Sequence, residues 1–166
     1  MSKRIRQYIG LFSAIITYYF IHEGTHLLYA LGVGAFKQIH FMGLGMQIDI
    51  YAERMTEQQL GMFCLLGSVA TMIAAYTLVV LAERIGKIPS KCFKACMYYI
   101  TVALLIIDPL YLSLLCGLFG GGDMNGISLL VPESIARILY GVILIINVVA
   151  FFKIVLPAYK VAFADK

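Results

Sequence analysis

The chain has 166 residues, of which 61% are hydrophobic and only 13% are charged, and its mean hydropathy is +0.90. A soluble domain usually carries about a quarter charged residues, so this composition excludes an ordinary water-soluble enzyme and indicates a membrane protein. The net charge of +4 fits basic residues at a lipid surface, and we expect no nucleic-acid partner. Because no linker or internal repeat divides the sequence, we expect one domain over residues 1–166.

Four apolar segments are long enough to cross a hydrocarbon core of ~30 Å, which takes roughly 20 residues each. They cover residues 8–33, 60–81, 95–119 and 135–156. The first is too long for a cleaved signal peptide and shows no small-residue cleavage pattern, so we expect a retained helix. The sequence therefore predicts an all-α membrane protein with about four transmembrane helices.

Lysine and arginine residues predict the orientation of these helices, because they accumulate in cytoplasmic loops. The N-terminus, the loop after the second segment and the C-terminal end carry Lys3, Arg4, Arg6, Arg84, Lys87, Lys91, Lys94, Lys153, Lys160 and Lys166. The connections on the other side hold only Lys37 and Arg54 in the first case and no basic residue before Arg137 in the second. We therefore expect a multi-pass protein of the cell membrane with both termini in the cytoplasm.

The first apolar segment contains His22-Glu23-Gly24-Thr25-His26, the H-E-x-x-H pattern of zinc hydrolases. Residues four apart lie on one face of a helix, so His22 and His26 can reach one Zn²⁺ while Glu23 handles a water molecule as general base. A charged residue at the centre of a spanning helix costs at least about 2.5–3.5 kcal/mol, which indicates a functional partner for Glu23. The sequence thus predicts a Zn²⁺ site within the membrane.

Two aspartates compete for the third position on this metal, because a catalytic zinc has three protein ligands and one open position. Asp123 follows the glycines 120–122, which let the chain fold back towards the histidines. Asp108, before Pro109, is intramembrane and is the alternative third ligand, or else the hydrogen-bond partner of a zinc-bound histidine. Asn125 is a candidate donor to a developing oxyanion.

This combination resembles the site-2 protease family of intramembrane zinc metalloproteases. His22, Glu23 and His26 match the motif of one core helix of the family, and Asp123 in Gly-Asp-Met-Asn-Gly matches its distant aspartate. The resemblance also implies a membrane-dipping β-hairpin directly after the motif helix, and the near-alternating segment 36–51 fits this hairpin.

The resemblance extends over roughly residues 15–127 and includes three departures. The sequence Gly67-Ser68-Val69-Ala70-Thr71 stands where the family commonly has Gly-Pro-x-x-Asn, and the Asn-x-x-Pro-x-Pro stretch that often precedes the aspartate is absent. Well-known members also place the site nearer the cytoplasm, whereas the basic residues here predict the opposite side.

The resemblance implies hydrolysis of peptide bonds in or near transmembrane segments, with a membrane protein or peptide as substrate and the lipid bilayer as surroundings. Since no segment is long enough for a soluble substrate-selecting domain, an accessory membrane partner is a further expectation. Two alternatives remain. One is a membrane zinc peptidase of another family, in which Glu53 or Glu57 supplies the third ligand. The other is a non-enzymatic membrane scaffold with a vestigial motif.

Overall fold

The computed structural model describes residues 1–43 and 45–164, which are mostly helical with one antiparallel pair of strands. The elements in chain order are α1 (Lys3–Gly32), β1 (Phe36–Met42), β2 (Gly45–Ile50), α2 (Glu57–Gly86), α3 (Lys91–Leu110), α4 (Asp123–Ile127), α5 (Glu133–Ala150) and α6 (Leu156–Ala164). Short π and 3-10 turns over Tyr111–Leu115 and Cys116–Leu118 continue α3, and a π turn over Phe151–Val155 joins α5 to α6.

The predicted hairpin after the first helix is confirmed. Strands β1 and β2 pair antiparallel, with Ile39 opposite Ile48 and His40 opposite Gln47. Ile48 is buried and belongs to the apolar core, so one face of the hairpin packs onto the helices. The hairpin is thereby held beside α1, the helix that carries the H-E-x-x-H motif.

Three helices in the described part of the chain are long and apolar enough to cross a membrane: Glu57–Gly86, Lys91–Leu118 and Glu133–Ala164. They contain the predicted segments 60–81 and 135–156 and nearly all of 95–119. Helix α1 has the same length as α2, 30 residues, but the polar side chains of its motif make it less apolar.

Capping residues explain why the helices begin before the predicted apolar segments. The Thr56 hydroxyl accepts a hydrogen bond from the Gln59 amide at 3.2 Å, and the Gln59 side chain accepts one from the Thr56 amide at 2.9 Å. This reciprocal pair is a capping box, which satisfies amides that the first turn leaves without partners. Ser90 caps α3 in the same sense by accepting from the Phe93 amide at 3.2 Å.

Two apolar clusters fill the two halves of the helix bundle. The basic half contains Ala14, Ala75, Val79, Ala82, Ile85, Ile100, Leu104, Leu105, Val155 and Tyr159. The other half contains Ala30, Ile48, Phe63, Cys64, Leu112, Cys116, Met124, Ile127, Ala136 and Tyr140. Helices α1 and α2 contribute to both clusters, and so do the continuous helical stretches Lys91–Leu118 and Glu133–Ala164. Each of the four therefore also passes through the layer between the clusters.

That layer is polar. His22 and His26 lie between Ala14 and Ala30 on α1, while the other helices contribute buried polar side chains at the same level. These are Ser68 and Thr71 on α2, Asp108 on α3 and Asn147 on α5. Buried polar groups are costly unless they find partners, so a polar layer enclosed by two apolar clusters indicates a functional level of the bundle.

Pro109 and Asn147 form one pair of partners in this layer. Proline has no amide hydrogen, so the carbonyl of Leu105, four residues earlier, loses its helical hydrogen bond. The Asn147 side chain donates to this carbonyl at 2.7 Å and accepts from the Tyr76 hydroxyl at 2.6 Å. This hydrogen bond between α5 and α3 therefore satisfies the carbonyl that Pro109, next to Asp108, leaves without a helical partner.

The outer surface of the bundle is strongly apolar. Large apolar side chains are mostly exposed on several helices, with Phe20 76%, Val80 80%, Ile138 67% and Ile145 66% exposed. Soluble monomers do not expose contiguous apolar surface on this scale, so the exterior is suited to lipid rather than to water.

Candidate metal centre

His22 and His26 project from one face of α1 into the polar layer and are 7% and 3% exposed. Their rings are 4.8 Å apart between centroids, as expected for residues one helical turn apart. Helix α2 passes directly beside them at Gly67. A Cβ atom built on Gly67 would lie 2.6 Å from His26 Nε2 and 3.0 Å from His22 Cε1, so only glycine lets α2 approach the imidazoles this closely.

Asp123 reaches the same two rings from a distant part of the chain. Its Oδ2 lies 3.0 Å from His22 Nε2 and 3.5 Å from His26 Nε2. Gly120, Gly121 and Gly122 all have positive φ, at 78°, 88° and 49°, which a residue with a side chain rarely adopts. The glycine run thus turns the chain back so that α4 begins with Asp123 beside the histidines, as the sequence predicts.

Asp108 contacts the other side of His22. Its Oδ1 lies 3.3 Å from His22 Nδ1, and the carboxylate is 2% exposed. The Tyr18 hydroxyl donates to Asp108 Oδ1 at 2.5 Å, and the Thr71 hydroxyl donates to Oδ2. Both carboxylate oxygens therefore have partners within the bundle, and Asp108 faces the ring nitrogen that points away from Asp123.

Three donor atoms converge where the structure brings His22, His26 and Asp123 together, all within 4.8 Å of one another. Ligands bound to Zn²⁺ in a tetrahedron at about 2.0–2.1 Å lie about 3.3 Å apart, close to the two separations from Asp123. Neither ring nitrogen of the buried His26 has a hydrogen-bond partner in the described part of the chain. A buried nitrogen without a partner is costly, and binding a metal through Nε2 would remove that cost for this nitrogen. The donor set therefore fits a divalent metal.

The protonation of Asp123 also suits a ligand. The residue lies outside the three segments that can span a membrane. Burial raises the pKa of its carboxyl, but the neighbouring His22 and His26 imidazoles outweigh burial and hold the pKa below its ordinary value. The carboxylate is consequently ionised at neutral pH, which is the form that binds a metal.

Glu23 and Asn125 line the same cavity as the metal ligands. Glu23 Oε2 accepts a hydrogen bond from the Ile48 amide of β2 at 3.3 Å, so the hairpin positions this carboxylate. Asn125 donates its side-chain amide to the Gly120 carbonyl at 3.0 Å and is exposed. The Asn125 amide therefore stabilises the glycine turn in this structure, and its predicted contact with an oxyanion stays a prediction.

The cavity has a volume of about 1030 Å³ and is bounded by α1, β2, α2, α3 and the segment before α4. Tyr18, Glu23, Asp108 and Asp123 provide polar walls, and Phe63 provides part of the apolar wall. The backbone of β2 from Gly45 to Ile50 forms one side. A peptide segment can therefore reach the candidate metal centre alongside an existing strand.

Glu53 and Glu57 are not part of this group. Within residues 1–43 and 45–164, the cluster of potential metal ligands contains only the two histidines and Asp123. Glu53 belongs to a short 3-10 turn and Glu57 to the first turn of α2, and both are exposed. Their positions give no support to the alternative peptidase, in which one of them supplies the third ligand.

Tyr18 is a site residue that the sequence motifs did not indicate, and Gly67 was indicated only as the glycine of the stretch that departs from Gly-Pro-x-x-Asn. Tyr18 is four residues before His22 and therefore shares its helix face, with the two rings stacked at 5.3 Å between centroids. Extending the i, i+4 pattern back from His22 would have indicated it. The sequence carries no local signal for the role of Gly67, because that role depends on the approach of α1.

Comparison with known proteins returns no matching family model, no matching curated protein and no matching solved structure. A functional assignment therefore depends on the arrangement of this chain's own residues.

Proposed function

We propose that this protein is an intramembrane zinc metalloprotease that resembles the site-2 protease family. The observation that carries the proposal is the convergence of His22, His26 and Asp123 donor atoms within 4.8 Å, in a cavity that Glu23 also lines. The cluster lies in a buried polar layer between two apolar cores, where ionisable groups without a function are costly.

His22, His26 and Asp123 would hold the metal in this proposal, at the wall of the cavity. Zinc bound there would supply Lewis-acid polarisation of a substrate carbonyl and a nucleophilic water at neutral pH. Glu23 would accept a proton from the attacking water as general base and would pass it to the leaving amine as the peptide bond breaks. The Ile48 amide keeps the Glu23 carboxylate facing the cavity.

Asp108 acts as a positioning residue rather than as a ligand. Its contact with His22 Nδ1 favours the tautomer that leaves Nε2 free to bind the metal, and a carboxylate in this place also raises the basicity of the ring. Tyr18 and Thr71 occupy both Asp108 oxygens and fix their direction. His26 Nδ1 has no such partner among the described residues, so this support is specific to His22.

The substrate is an extended segment of a membrane protein or membrane-associated peptide. Helical carbonyls are hydrogen-bonded and shielded, so a transmembrane helix must unwind locally before hydrolysis. The Ile48 amide points away from β1 towards Glu23, and strand β2 therefore presents its other edge to the cavity. Pairing with that edge would hold the substrate backbone extended beside the metal.

The protein lies in the cell membrane with four spans, of which α1 is the first. At 1.5 Å per residue, the 30 residues of α1 extend for about 45 Å, enough to cross the hydrocarbon core. The positive residues place both termini in the cytoplasm, so the metal centre opens towards the other side of the membrane. The β-hairpin that follows α1 dips into the bilayer on that side, and an accessory membrane partner assists substrate selection.

The test is Glu23→Gln in the full chain reconstituted with a quenched fluorescent peptide that carries a transmembrane segment. Hydrolysis should fall by roughly 10²–10⁴-fold, the usual contribution of a general base, while bound zinc stays at the wild-type level. Glu53→Gln is the matched control, because Glu53 is exposed and outside the cavity. Hydrolysis by Glu23→Gln at the wild-type rate contradicts the mechanism. Wild-type protein that takes up no zinc after supplementation favours the scaffold alternative.

A further inference from the structure

A second cavity lies at the opposite end of the bundle from the candidate metal centre. Its volume is about 580 Å³, and residues of α1, α3 and α6 line it. Four of its lining residues are basic: Lys3, Arg6, Lys91 and Lys160. Lys3 and His22 are 19 residues apart on α1, so this cavity is about 28 Å from the metal centre along the helix.

Among the residues that the structure describes, the positive charges in this cavity have no acidic counterpart. No aspartate or glutamate contributes to its described lining, and none of the four basic side chains forms an ion pair within residues 1–43 and 45–164. Like charges gathered around one cavity repel each other, and a bound anion would offset that repulsion.

The neighbouring cavity gives a direct contrast. It has a volume of about 620 Å³ and two basic residues, Lys87 and Lys153, but Glu83 lines it with them. Both cavities lie at the basic end of the bundle, yet only the first gathers four cations without a carboxylate in its lining. The excess of positive charge is therefore local and is not a general property of this end.

Lys94 is not among the residues that line the basic cavity, but it holds two walls of the cavity together. The side chain is 5% exposed, and its Nζ donates to the Ala162 carbonyl at 2.5 Å and lies 5.8 Å from the centre of the Phe163 ring. This bond ties α3 to α6, the two helices that carry Lys91 and Lys160. The packing of α3 against α6 therefore sets the distance between the two helix positions that carry Lys91 and Lys160.

The remaining walls are aromatic and apolar. Tyr98 and Tyr99 from α3 and Leu156, Tyr159 and Phe163 from α6 provide most of this surface. Phe163 is 37% exposed, so the cavity continues into the apolar outer surface of the bundle. A phosphate beside four cations with apolar surface next to it matches a lipid headgroup with its attached chains better than a free ion.

We propose that this cavity binds the phosphate of an anionic phospholipid from the cytoplasmic leaflet, with Arg6, Lys91 and Lys160 contacting the headgroup. The acyl chains then continue along the exposed apolar side chains near Leu156 and Phe163. The site is separate from the candidate metal centre and depends on the membrane placement of the helices, not on zinc chemistry.

The experiment titrates the purified full chain in neutral detergent with phosphatidylglycerol or phosphatidylcholine and counts bound lipid by native mass spectrometry. The wild type should bind phosphatidylglycerol and show no saturable binding of phosphatidylcholine. A basic residue near an anionic lipid surface contributes roughly fivefold to binding, so Lys91→Gln/Lys160→Gln should weaken phosphatidylglycerol binding by roughly 25-fold. Lys87→Gln/Lys153→Gln removes the same charge from the neighbouring cavity and should bind as the wild type does.

Three outcomes would overturn the inference. One is equal weakening in both double variants, which would indicate a diffuse charge effect. Another is binding of phosphatidylcholine as tight as that of phosphatidylglycerol. A third is competition by inorganic phosphate at the same concentration as the lipid, which would assign the cavity to a free anion. Circular dichroism checks that both variants keep their helices, and zinc content, measured on the same samples, reports separately on the proposed metalloprotease.

Discussion

Asp108 and Asp123 face the same imidazole from opposite sides, but two very different regions of the molecule position them. Asp108 lies on a long helix, is 2% exposed and has both oxygens occupied by the Tyr18 and Thr71 hydroxyls. Asp123 begins a five-residue helix after three glycines with positive φ, and its side chain is 22% exposed. The long helix holds the Asp108 carboxylate against His22 Nδ1. The glycine turn brings the Asp123 carboxylate to Nε2 of both His22 and His26.

This difference separates two tasks within one site. A metal ligand needs a free oxygen directed at the open cavity, and Asp123 has that placement. A positioning residue needs a fixed direction and full hydrogen bonding, and the network around Asp108 provides both. Substitutions of the two aspartates should therefore weaken zinc binding to different extents.

The largest effect is expected for Asp123→Ala. Loss of one of three protein ligands should weaken zinc binding by more than the roughly 10–100-fold that follows loss of an outer-shell partner, and hydrolysis should disappear with the metal. Zinc per protein is measured by plasma mass spectrometry after dialysis against a graded chelator. Asp49→Ala is the control, since Asp49 lines the same cavity but is not one of the three clustered ligands. Full zinc content in Asp123→Ala would remove this residue from the coordination sphere.

A smaller effect is expected for Asp108→Asn, which keeps the shape of the side chain and removes its charge. Zinc affinity should fall by roughly 10–100-fold, because His22 loses the partner that fixes its tautomer and orientation. The same chelator titration measures the change, with Asp49→Asn as control. Complete loss of zinc in Asp108→Asn, together with zinc retention in Asp123→Ala, would exchange the roles of the two aspartates.

The smallest effect on zinc binding is expected for Gly122→Ala, which keeps all three ligands and tests how the turn delivers Asp123. Gly122 has φ 49° and ψ −131°, and an added Cβ would lie 2.5 Å from the Tyr111 hydroxyl oxygen. We expect a loss of about 1–3 kcal/mol in the free energy of unfolding, measured by thermal denaturation in detergent.

Two companion variants sharpen that measurement. Gly120→Ala also places a side chain at positive φ, 78°, but its Cβ would meet no atom within 4 Å, so it should cost less than Gly122→Ala. Tyr111→Phe should recover part of the stability of Gly122→Ala, because it removes the hydroxyl that the new methyl group contacts. Equal losses at Gly120 and Gly122 without recovery would mean that backbone strain alone governs the turn.

The helices and the hairpin were accessible from the sequence because their signals are local. Apolar segments of about 20 residues indicated the positions of the long helices, and near alternation over 36–51 indicated the strands. The precise helix ends were not accessible, since Thr56 and Ser90 extend the helices into polar sequence by capping them. The partner of Asn147 was likewise not accessible, since the Leu105 carbonyl that Pro109 leaves free lies on another helix.

The sequence by itself determined that His22 and His26 share a helix face with Glu23 between them, because the pitch of a helix fixes that geometry for residues four apart. It also determined that glycines 120–122 permit a reversal of the chain before Asp123. Only the tertiary structure decided which aspartate meets which ring nitrogen and where α2 needs Gly67, because those contacts join segments far apart in sequence. Their distances depend on how the helices pack, which no local pattern encodes.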